Sequence, residues 1–289
     1  MRIHTLGLVL LGGLFGCRTA PVPSSPRSAI IDASFSREPE STSMQVMAHD
    51  PVVAQLLRAS LAAYEHQRRV MLENLTNVNT CGYKRRVVCM TTQDVAGSDG
   101  QAFQVPVVQG TVAIFTVGTL EATDRNLDLA IDGDGFFAVM RVGGSTGYTR
   151  NGSLQIDVRG KIVTGQGLIV LPEITVPNDT LEISIDPEGL VTGRTAGSPD
   201  TTTSFGQLTI HRFTNQAGLR IENGIYQPTD ASGCPVTATP GTSGLGLLKQ
   251  GFLERSNVQT TNELVNLQIL EQQHDALVRV MRHFGLVAP

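Results

Sequence analysis

Two aspartates that alternate with glycines, in Asp132-Gly133-Asp134-Gly135, are the best candidates for a metal site in this sequence. Carboxylates at this spacing bind calcium when further oxygen ligands and a closing glutamate follow at fixed positions. Here the next residues are Phe136 and Phe137, whose side chains carry no oxygen. We therefore interpret the segment as a turn, and the sequence predicts no metal ion and no cofactor.

The cysteines and histidines do not form a catalytic or zinc-binding pattern. Cys81 and Cys89 have no second cysteine pair and no cluster of histidines to complete a zinc site. Cys234 stands alone, and the pairing of these three cysteines stays open. No histidine accompanies a serine or cysteine nucleophile in a motif that would supply a base and an oxyanion site. The sequence therefore predicts a protein that is not an enzyme.

Cys17 follows a short apolar segment near the start of the sequence. Residues 6–16 are a short apolar segment after Arg2, and Leu14-Phe15-Gly16-Cys17 has the form of a bacterial lipobox. This pattern predicts a signal peptide over residues 1–17 and lipid attachment at Cys17, which would anchor the chain to a membrane. Arg18 leaves sorting to the outer membrane open. The alternative is an apolar leader with an accidental cysteine.

Residues 18–50 are rich in Pro, Ser, Ala and Thr, with few large apolar side chains. This composition predicts a flexible tether. The segment that follows, residues 51–82, has the pattern of a long amphipathic helix that begins at Pro51. Its seam alternates spacings of three and four residues, as in a coiled coil. The seam consists of Ala54, Leu57, Leu61, Tyr64, Arg68, Met71, Leu75 and Val78.

The other end of the chain, residues 251–285, has a similar pattern. Its seam also alternates three and four residues and consists of Leu267, Leu270, His274, Leu277, Met281 and Phe284. We interpret His274 as a partly buried or interfacial histidine, and we place Glu263, Glu271 and Gln272 on the outer, solvated face. The helices would pack together as a coiled coil. The alternative is that both helices pack on the sheet of one globular domain.

Between the helices the sequence predicts β-structure. Residues 83–111 are interpreted as a connector of strand and loop, and residues 112–250 as one antiparallel β-domain. Short β-rich runs alternate with turn signals, of which Asn151-Gly152 is the strongest because both central residues of a tight hairpin need positive φ. Arg150, just before this turn, is expected at a strand end on the surface. The predicted fold class is α+β.

Composition excludes several classes of function. The net charge is −4 and charged residues make up only 17% of the chain, so no broad basic surface for nucleic acid is expected. No apolar run is long enough to cross a membrane as a helix. Low charge together with 30 glycines favours a β-rich protein that packs against other subunits.

Four segments, in order along the chain, resemble one known family, the flagellar basal-body rod and hook proteins. Asn74-Leu-Thr-Asn-Val-Asn-Thr-Cys-Gly-Tyr-Lys84 is similar to the family's N-terminal signature, and residues 250–258 followed by 262–266 are similar to its C-terminal signature. Residues 128–137 and 148–153 are similar to its central β-domain. The motif residues are Asn74, Asn77, Thr80, Gly82, Gly133, Gly135, Gly251, Glu254, Ser256, Asn257 and Val258.

The resemblance implies a structural subunit of the bacterial flagellar rod, most like the distal-rod members of the family. Such a subunit would polymerise with copies of itself into a hollow drive shaft in the periplasmic basal body. Its partners would be other rod and hook proteins and the rings around the rod. The leader departs from the family, whose members usually begin near the first helix. Either translation starts near Met44 or Met47, or the chain is a lipoprotein variant that reaches the periplasm by the general secretion route. The alternative function is a lipid-anchored, rod-like adaptor at the outer membrane.

Overall fold

The computed structural model describes residues 51–96 and 102–286. The predictions made for residues 1–50, including the signal peptide, the tether and the lipid on Cys17, lie outside these ranges.

Two helices lie at the ends of the described chain: α1 spans Pro51–Thr76 and α2 spans Thr260–His283. At the C-terminal end of helix α1, side chains donate hydrogen bonds to backbone carbonyls of the last turn. The Thr76 hydroxyl donates to the Leu72 carbonyl, and the Asn77 amide donates to the Glu73 carbonyl. Helix α2 ends at His283, and Gly285 two residues further on has a φ of 66°, which suits a left-handed cap.

The strands between the helices pair antiparallel throughout the described residues. The first nine are β1 Arg86–Ala96, β2 Ala102–Ala113, β3 Leu120–Ala122, β4 Leu129–Asp132, β5 Phe136–Met140, β6 Thr146–Thr149, β7 Leu154–Ile156, β8 Ile162–Thr164 and β9 Ile169–Leu171. The others are β10 Thr180–Ile185, β11 Leu190–Thr195, β12 Ser198–Gln207, β13 Ile210–Arg212, β14 Arg220–Glu222, β15 Ile225–Gln227, β16 Val236–Ala238, β17 Leu247–Gln250 and β18 Phe252–Glu254.

The largest sheet has β5 near its centre. Its main path runs β14-β15-β6-β5-β9-β8-β7, and β13 joins it by pairing with both β5 and β16. Strand β5 reads Phe-Phe-Ala-Val-Met, and its alternate side chains enter two different cores. Phe137 and Val139 enter an aliphatic core, whereas Phe136 packs edge-on against Phe115, Phe213 and Tyr226. A strand covered on both faces explains the unbroken apolar run.

Four smaller sheets accompany the largest one in the described residues. Strands β10, β11 and β12 form a three-stranded sheet, β17 pairs with β4, and β18 pairs with β3. The predicted connector, residues 83–111, contains most of a long hairpin in which β1 pairs with β2. Residues 252–254 of the C-terminal signature are strand β18, so α2 begins at Thr260 and not at residue 251. The spacing of three and four residues begins only at Leu267, beyond this strand.

The prediction that the terminal helices form a coiled coil is wrong, although the fold is α+β. Helix α1 packs against three neighbours, α2 and both strands of the β1–β2 hairpin. A coiled coil requires each helix to present its seam to another helix along its length. Here the hairpin occupies one side of α1. The described residues contain two α-helices and eighteen strands, so most of the structure is β-sheet and not a helical bundle.

Candidate functional site: the helix pair and two buried glutamates

The helix pair is antiparallel. The Asn74 amide donates to Glu263 Oε1 over 3.2 Å, and Arg68 Nε lies 3.8 Å from Glu271 Oε1. The residue number falls on α1 as it rises on α2, so the helices run in opposite directions. The two ends of the described chain therefore lie side by side, at the end of the helix pair away from the β-domain.

The predicted seam positions on α2 differ in how deeply they are buried. Leu270, Leu277 and Met281 are buried, and Leu267 is half-buried. Glu263 lies one heptad before Leu270 and is buried with it, only 1% exposed. The expectation that Glu263 lies on the solvated face is therefore wrong, because its position in the heptad places it on the packed face.

The predicted seam positions on α1 lie at an edge of the buried face. Leu57, Leu61, Tyr64, Met71 and Leu75 are half-buried, as is Val78 beyond the helix end. The buried residues of α1 are Ala63, Val70 and Asn74. They lie between the side that meets α2, where Arg68 approaches Glu271, and the side that meets β2, where His66 Nε2 lies 3.1 Å from Thr111 Oγ1.

Glu254 is the centre of a buried ion-pair cluster below the helix pair. Its Oε1 accepts from Lys84 Nζ over 2.6 Å and from the Gly118 N–H over 2.8 Å, and its Oε2 accepts from Arg150 Nε over 2.7 Å. All three charged side chains are at most 4% exposed. Buried charges are tolerated when they are paired and hydrogen-bonded, and each charged group in this cluster has both kinds of partner.

Arg150 connects this cluster to the turn of alternating aspartates and glycines. Its Nη1 donates to the carbonyls of Gly133 and Gly135 over 2.9 and 2.7 Å, and its Nη2 donates to the Ile131 carbonyl over 3.1 Å. The turn thus presents backbone oxygens to a guanidinium group of the same chain. The expectation that Arg150 is a surface residue is wrong, because four of its contacts lie inside the protein.

The charges in this cluster shift two pKa values. Burial alone would raise the pKa of Glu254, but the charges and hydrogen bonds of Arg150 and Lys84 hold it below its usual value. Burial lowers the pKa of Lys84, and the nearby charge of Arg150 lowers it further against the attraction of Glu254. The cluster holds two cations and one carboxylate, so Glu254 supplies the counter-charge for both Lys84 and Arg150.

Gly82 lets the N-terminal motif approach this cluster. Its N–H donates to the Glu254 carbonyl over 2.8 Å, and its φ is 70°. A Cβ at this position would lie 2.5 Å from the Arg150 carbonyl carbon, which is closer than real contacts allow. A glycine is therefore required both by the backbone conformation and by the space.

Glu263 is the centre of a second buried cluster, at the start of α2. Its Oε1 accepts from Asn74 Nδ2 and from Arg85 Nε. Asn74 also makes two hydrogen bonds with the backbone of Arg86, each 2.8 Å long, and accepts from the Tyr83 hydroxyl over 3.1 Å. Two atoms here are buried without a hydrogen-bond partner, Glu263 Oε2 and Arg86 Nε.

Asn257 holds three segments together between the clusters. Its side-chain oxygen accepts from the Arg85 N–H over 2.6 Å, and its amide donates to the Ile114 carbonyl over 2.7 Å and to Thr116. Two other motif residues make local contacts: Thr80 donates to Asn77 over 3.1 Å, and Ser256 accepts from the Val258 N–H over 3.3 Å. Gly251 makes a long-range contact, because its N–H donates to the Asp128 carbonyl over 2.8 Å.

The structure thus brings most of the motif residues together and adds four charged residues that the sequence did not identify as partners: Lys84, Arg85, Arg150 and Glu263. Each of these pairs with a residue more than 100 positions away, so no local pattern reveals the partner. Their arrangement links the two ends of the chain to the β-domain. Within residues 51–96 and 102–286, no three potential metal ligands lie together.

Two other features of the described chain lie outside these clusters. A cavity of about 490 Å³ lies between Asp134 and residues 212–216. Cys81, Cys89 and Cys234 are free thiols, and neither α1 nor α2 is long and apolar enough to cross a membrane.

The helices at the two ends of the described chain are thus joined by buried charges to an antiparallel β-domain. Two family models match the chain: the flagellar hook protein FlgE/F/G D1 domain over residues 130–193, and the flagellar basal body rod FlgEFG protein C-terminal region over residues 249–283. The first contains Arg150 and the second contains Glu254 and Glu263. The Arg150–Glu254 ion pair therefore joins the two matched regions.

Curated relatives match over most of the chain. The flagellar basal-body rod protein FlgG of Buchnera aphidicola subsp. Schizaphis graminum is 37% identical over 227 residues, which cover 73% of this chain and 86% of the relative. FlgG of Agrobacterium fabrum is 35% identical, covering 76% of this chain and 90% of the relative. FlgF of Escherichia coli is 30% identical, covering 75% and 87%.

The chain belongs to the flagellar basal-body rod protein family. The resemblance seen in the sequence is confirmed, including the similarity to the distal-rod protein FlgG. The prediction that the chain is not an enzyme is confirmed by its membership of this structural family.

Proposed function

We propose that this chain is a structural subunit of the distal rod, which polymerises through its terminal helices into the hollow shaft of the flagellar basal body. Family membership places the protein among rod subunits. One observation carries the mechanical part of the proposal: the helix pair is bound to the β-domain through the buried pairs of Glu254 and Glu263. A load on either part therefore reaches the other through hydrogen-bonded charges as well as through the backbone.

The partners and the location follow from this role. The chain would contact copies of itself, other rod and hook proteins above and below, and the ring proteins around the rod. The shaft would cross the periplasm and transmit torque, and its bore would pass exported subunits. Charge-assisted hydrogen bonds suit this work because they are shorter and stronger than neutral ones.

The test is to delete the gene in its own host and to purify hook–basal bodies from the deletion strain and from a complemented strain. The complemented strain should swim and contain this chain in its basal bodies, identified by mass spectrometry. The deletion strain should lack the rod beyond the proximal part and should not swim. Intact basal bodies and normal swimming without the gene would contradict the proposal.

Lipid attachment at Cys17 remains a prediction, as does anchoring at the outer membrane. The relatives favour a rod subunit over a lipid-anchored adaptor, because rod proteins match over about three quarters of the chain. Radiolabelled palmitate fed to cells should label the full chain but not a Cys17→Ser variant. Cys234→Ser is the matched control and should keep the label. Equal labelling of both variants would exclude Cys17 as the site.

A further inference from the structure

Two Asn-Gly pairs lie in the described residues, and the fold places them in opposite environments. Asn223 and Gly224 form the two-residue turn between β14 and β15, with φ values of 52° and 76°. Both residues are exposed, and a Cβ placed on Gly224 would meet no atom within 4 Å. The Asn223 side chain makes no hydrogen bond to another described residue. Nothing outside the turn itself therefore holds this pair.

Asn151-Gly152 has the same two amino acids but is held by the fold. Asn151 Oδ1 accepts from the Ser153 N–H over 3.0 Å, and the Gly152 carbonyl accepts from the Leu129 N–H over 3.0 Å. Gly152 is buried, and a Cβ there would lie 1.6 Å from the Leu129 carbonyl oxygen. Neither residue has a positive φ, so this pair is not the tight hairpin turn that its sequence predicts.

An Asn-Gly pair can modify itself with water as the co-reactant. The backbone nitrogen of the glycine attacks Cγ of the asparagine, so that an N–Cγ bond forms and the nitrogen loses its proton. The Cγ–Nδ2 bond breaks, and Nδ2 leaves as ammonia with that proton, which produces a five-membered succinimide ring. Water then opens the ring at one of its two carbonyls and yields aspartate or isoaspartate. Glycine favours the attack because it has no side chain to hinder the nitrogen.

The rate depends on how easily the backbone opens around each pair. Ring closure needs the glycine nitrogen on the same side of the asparagine Cα–C bond as Cβ, and a left-handed residue holds it on the opposite side. Asn223 must therefore leave the turn briefly. Strand β14 ends the path of the largest sheet, and it and β15 have only three residues each, so few hydrogen bonds oppose this motion.

Opening the backbone at Asn151 is more costly. It would separate the Gly152 carbonyl from the N–H of Leu129, a residue with 0% exposure in the aliphatic core. Local opening is easiest in segments with exposed hydrogen bonds and few buried contacts. The fold therefore selects one of two identical pairs for the reaction.

We propose that Asn223 is a site of spontaneous deamidation, at which the folded protein slowly gains a negative charge while Asn151 keeps its amide. This site would exist whether or not the chain is built into a rod. Either product disturbs the turn. Aspartate places a second carboxylate beside Glu222, which already accepts from Arg141, and like charges repel. Isoaspartate adds one backbone atom to the turn, so Glu222 and Ile225 can no longer pair in register.

Ageing of the purified full-length protein in mildly alkaline buffer at 37 °C tests the site, because base assists the loss of the nitrogen proton. Peptide mass spectrometry should show deamidation of Asn223 at least about tenfold faster than that of Asn151. In urea, which removes the fold, the two peptides should react at similar rates, because the pairs have the same amino acids. Equal rates in the folded protein, including no reaction at either site while the urea sample reacts, would overturn the inference.

A second measurement follows the turn itself. Hydrogen exchange of residues 220–227 should be several-fold faster in the aged protein than in the fresh one. Asn223→Gln is the matched control, because glutamine closes the corresponding larger ring far more slowly. In this variant the exchange should not change with age, and Asn151 should react as it does in the wild type. Unchanged exchange after Asn223 of the wild type has reacted would overturn the expected disturbance of the turn.

Discussion

Two buried glutamates hold the same molecule together in different ways. Glu254 has each carboxylate oxygen hydrogen-bonded, and its two cations are themselves buried. Glu263 is equally buried, but its Oε2 has no hydrogen-bond partner among the described residues, and its cation Arg85 is one-third exposed. The comparison indicates that the chain is tied most firmly where the two signatures meet the β-domain, and less firmly where α2 meets α1.

The location of each cluster explains this difference. Glu254 lies on strand β18, which β3 fixes on one side, and its partners lie on a strand end and in the N-terminal motif. Glu263 lies in the first turn of α2, where a negative charge is also stabilised by the helix dipole. The cluster on the sheet is therefore held by rigid neighbours, whereas the cluster on the helix depends on side chains.

Removing the charge of Glu254 is expected to have the largest effect. Glu254→Gln would leave Lys84 and Arg150 buried without a counter-charge, and breaking such a pair costs about 3–5 kcal/mol of folding free energy. Urea unfolding of the purified variant measures this loss. Glu182→Gln, which breaks the exposed pair with Arg194, is the control and should cost about 1 kcal/mol or less. Equal losses in both variants would show that the Glu254 cluster has no special role.

Glu263→Gln is expected to cost less, about 1.5–3 kcal/mol, a value typical of a lost hydrogen bond to a charged group. The partly exposed Arg85 can turn to solvent when its partner loses charge, which Lys84 and Arg150 cannot do. The same urea experiment ranks the two glutamates. A loss for Glu263→Gln as large as that for Glu254→Gln would contradict the difference described between the clusters.

The sequence revealed the helices and the β-domain but not these clusters. Spacings of three and four residues located both helices, and glycine turns indicated antiparallel strands. Glu263 was misplaced because an isolated carboxylate is rarely buried, although its spacing of seven from Leu270 matched the packed face. Arg150 gave no local signal, since its partner Glu254 is 104 residues away. The coiled-coil prediction was wrong because the β1–β2 hairpin competes with α2 for the surface of α1, and periodicity does not report such a tertiary contact.

The smallest predicted effect is a change of folding stability at alkaline pH. It has opposite directions for the two clusters. Burial, assisted by the charge of Glu73, raises the pKa of Tyr83 to about 12, and this hydroxyl belongs to the Glu263 cluster through Asn74. An unfolded tyrosine ionises near pH 10. Between about pH 10 and 12 the unfolded chain has therefore released a proton that the folded chain still holds, so stability falls as pH rises.

Lys84, in the Glu254 cluster, acts in the opposite direction, because its lowered pKa means that the folded chain holds fewer protons than the unfolded chain as Lys84 titrates. Tyr83→Phe removes the tyrosine from both states, so the stability of the variant should fall less steeply than that of the wild type above pH 10. Urea unfolding from pH 7 to 11.5 measures both curves, and they should be parallel below pH 9. Curves that stay parallel up to pH 11.5 would mean that the Tyr83 hydroxyl ionises as easily in the folded chain as in the unfolded chain, and that the Glu263 cluster does not retain its proton.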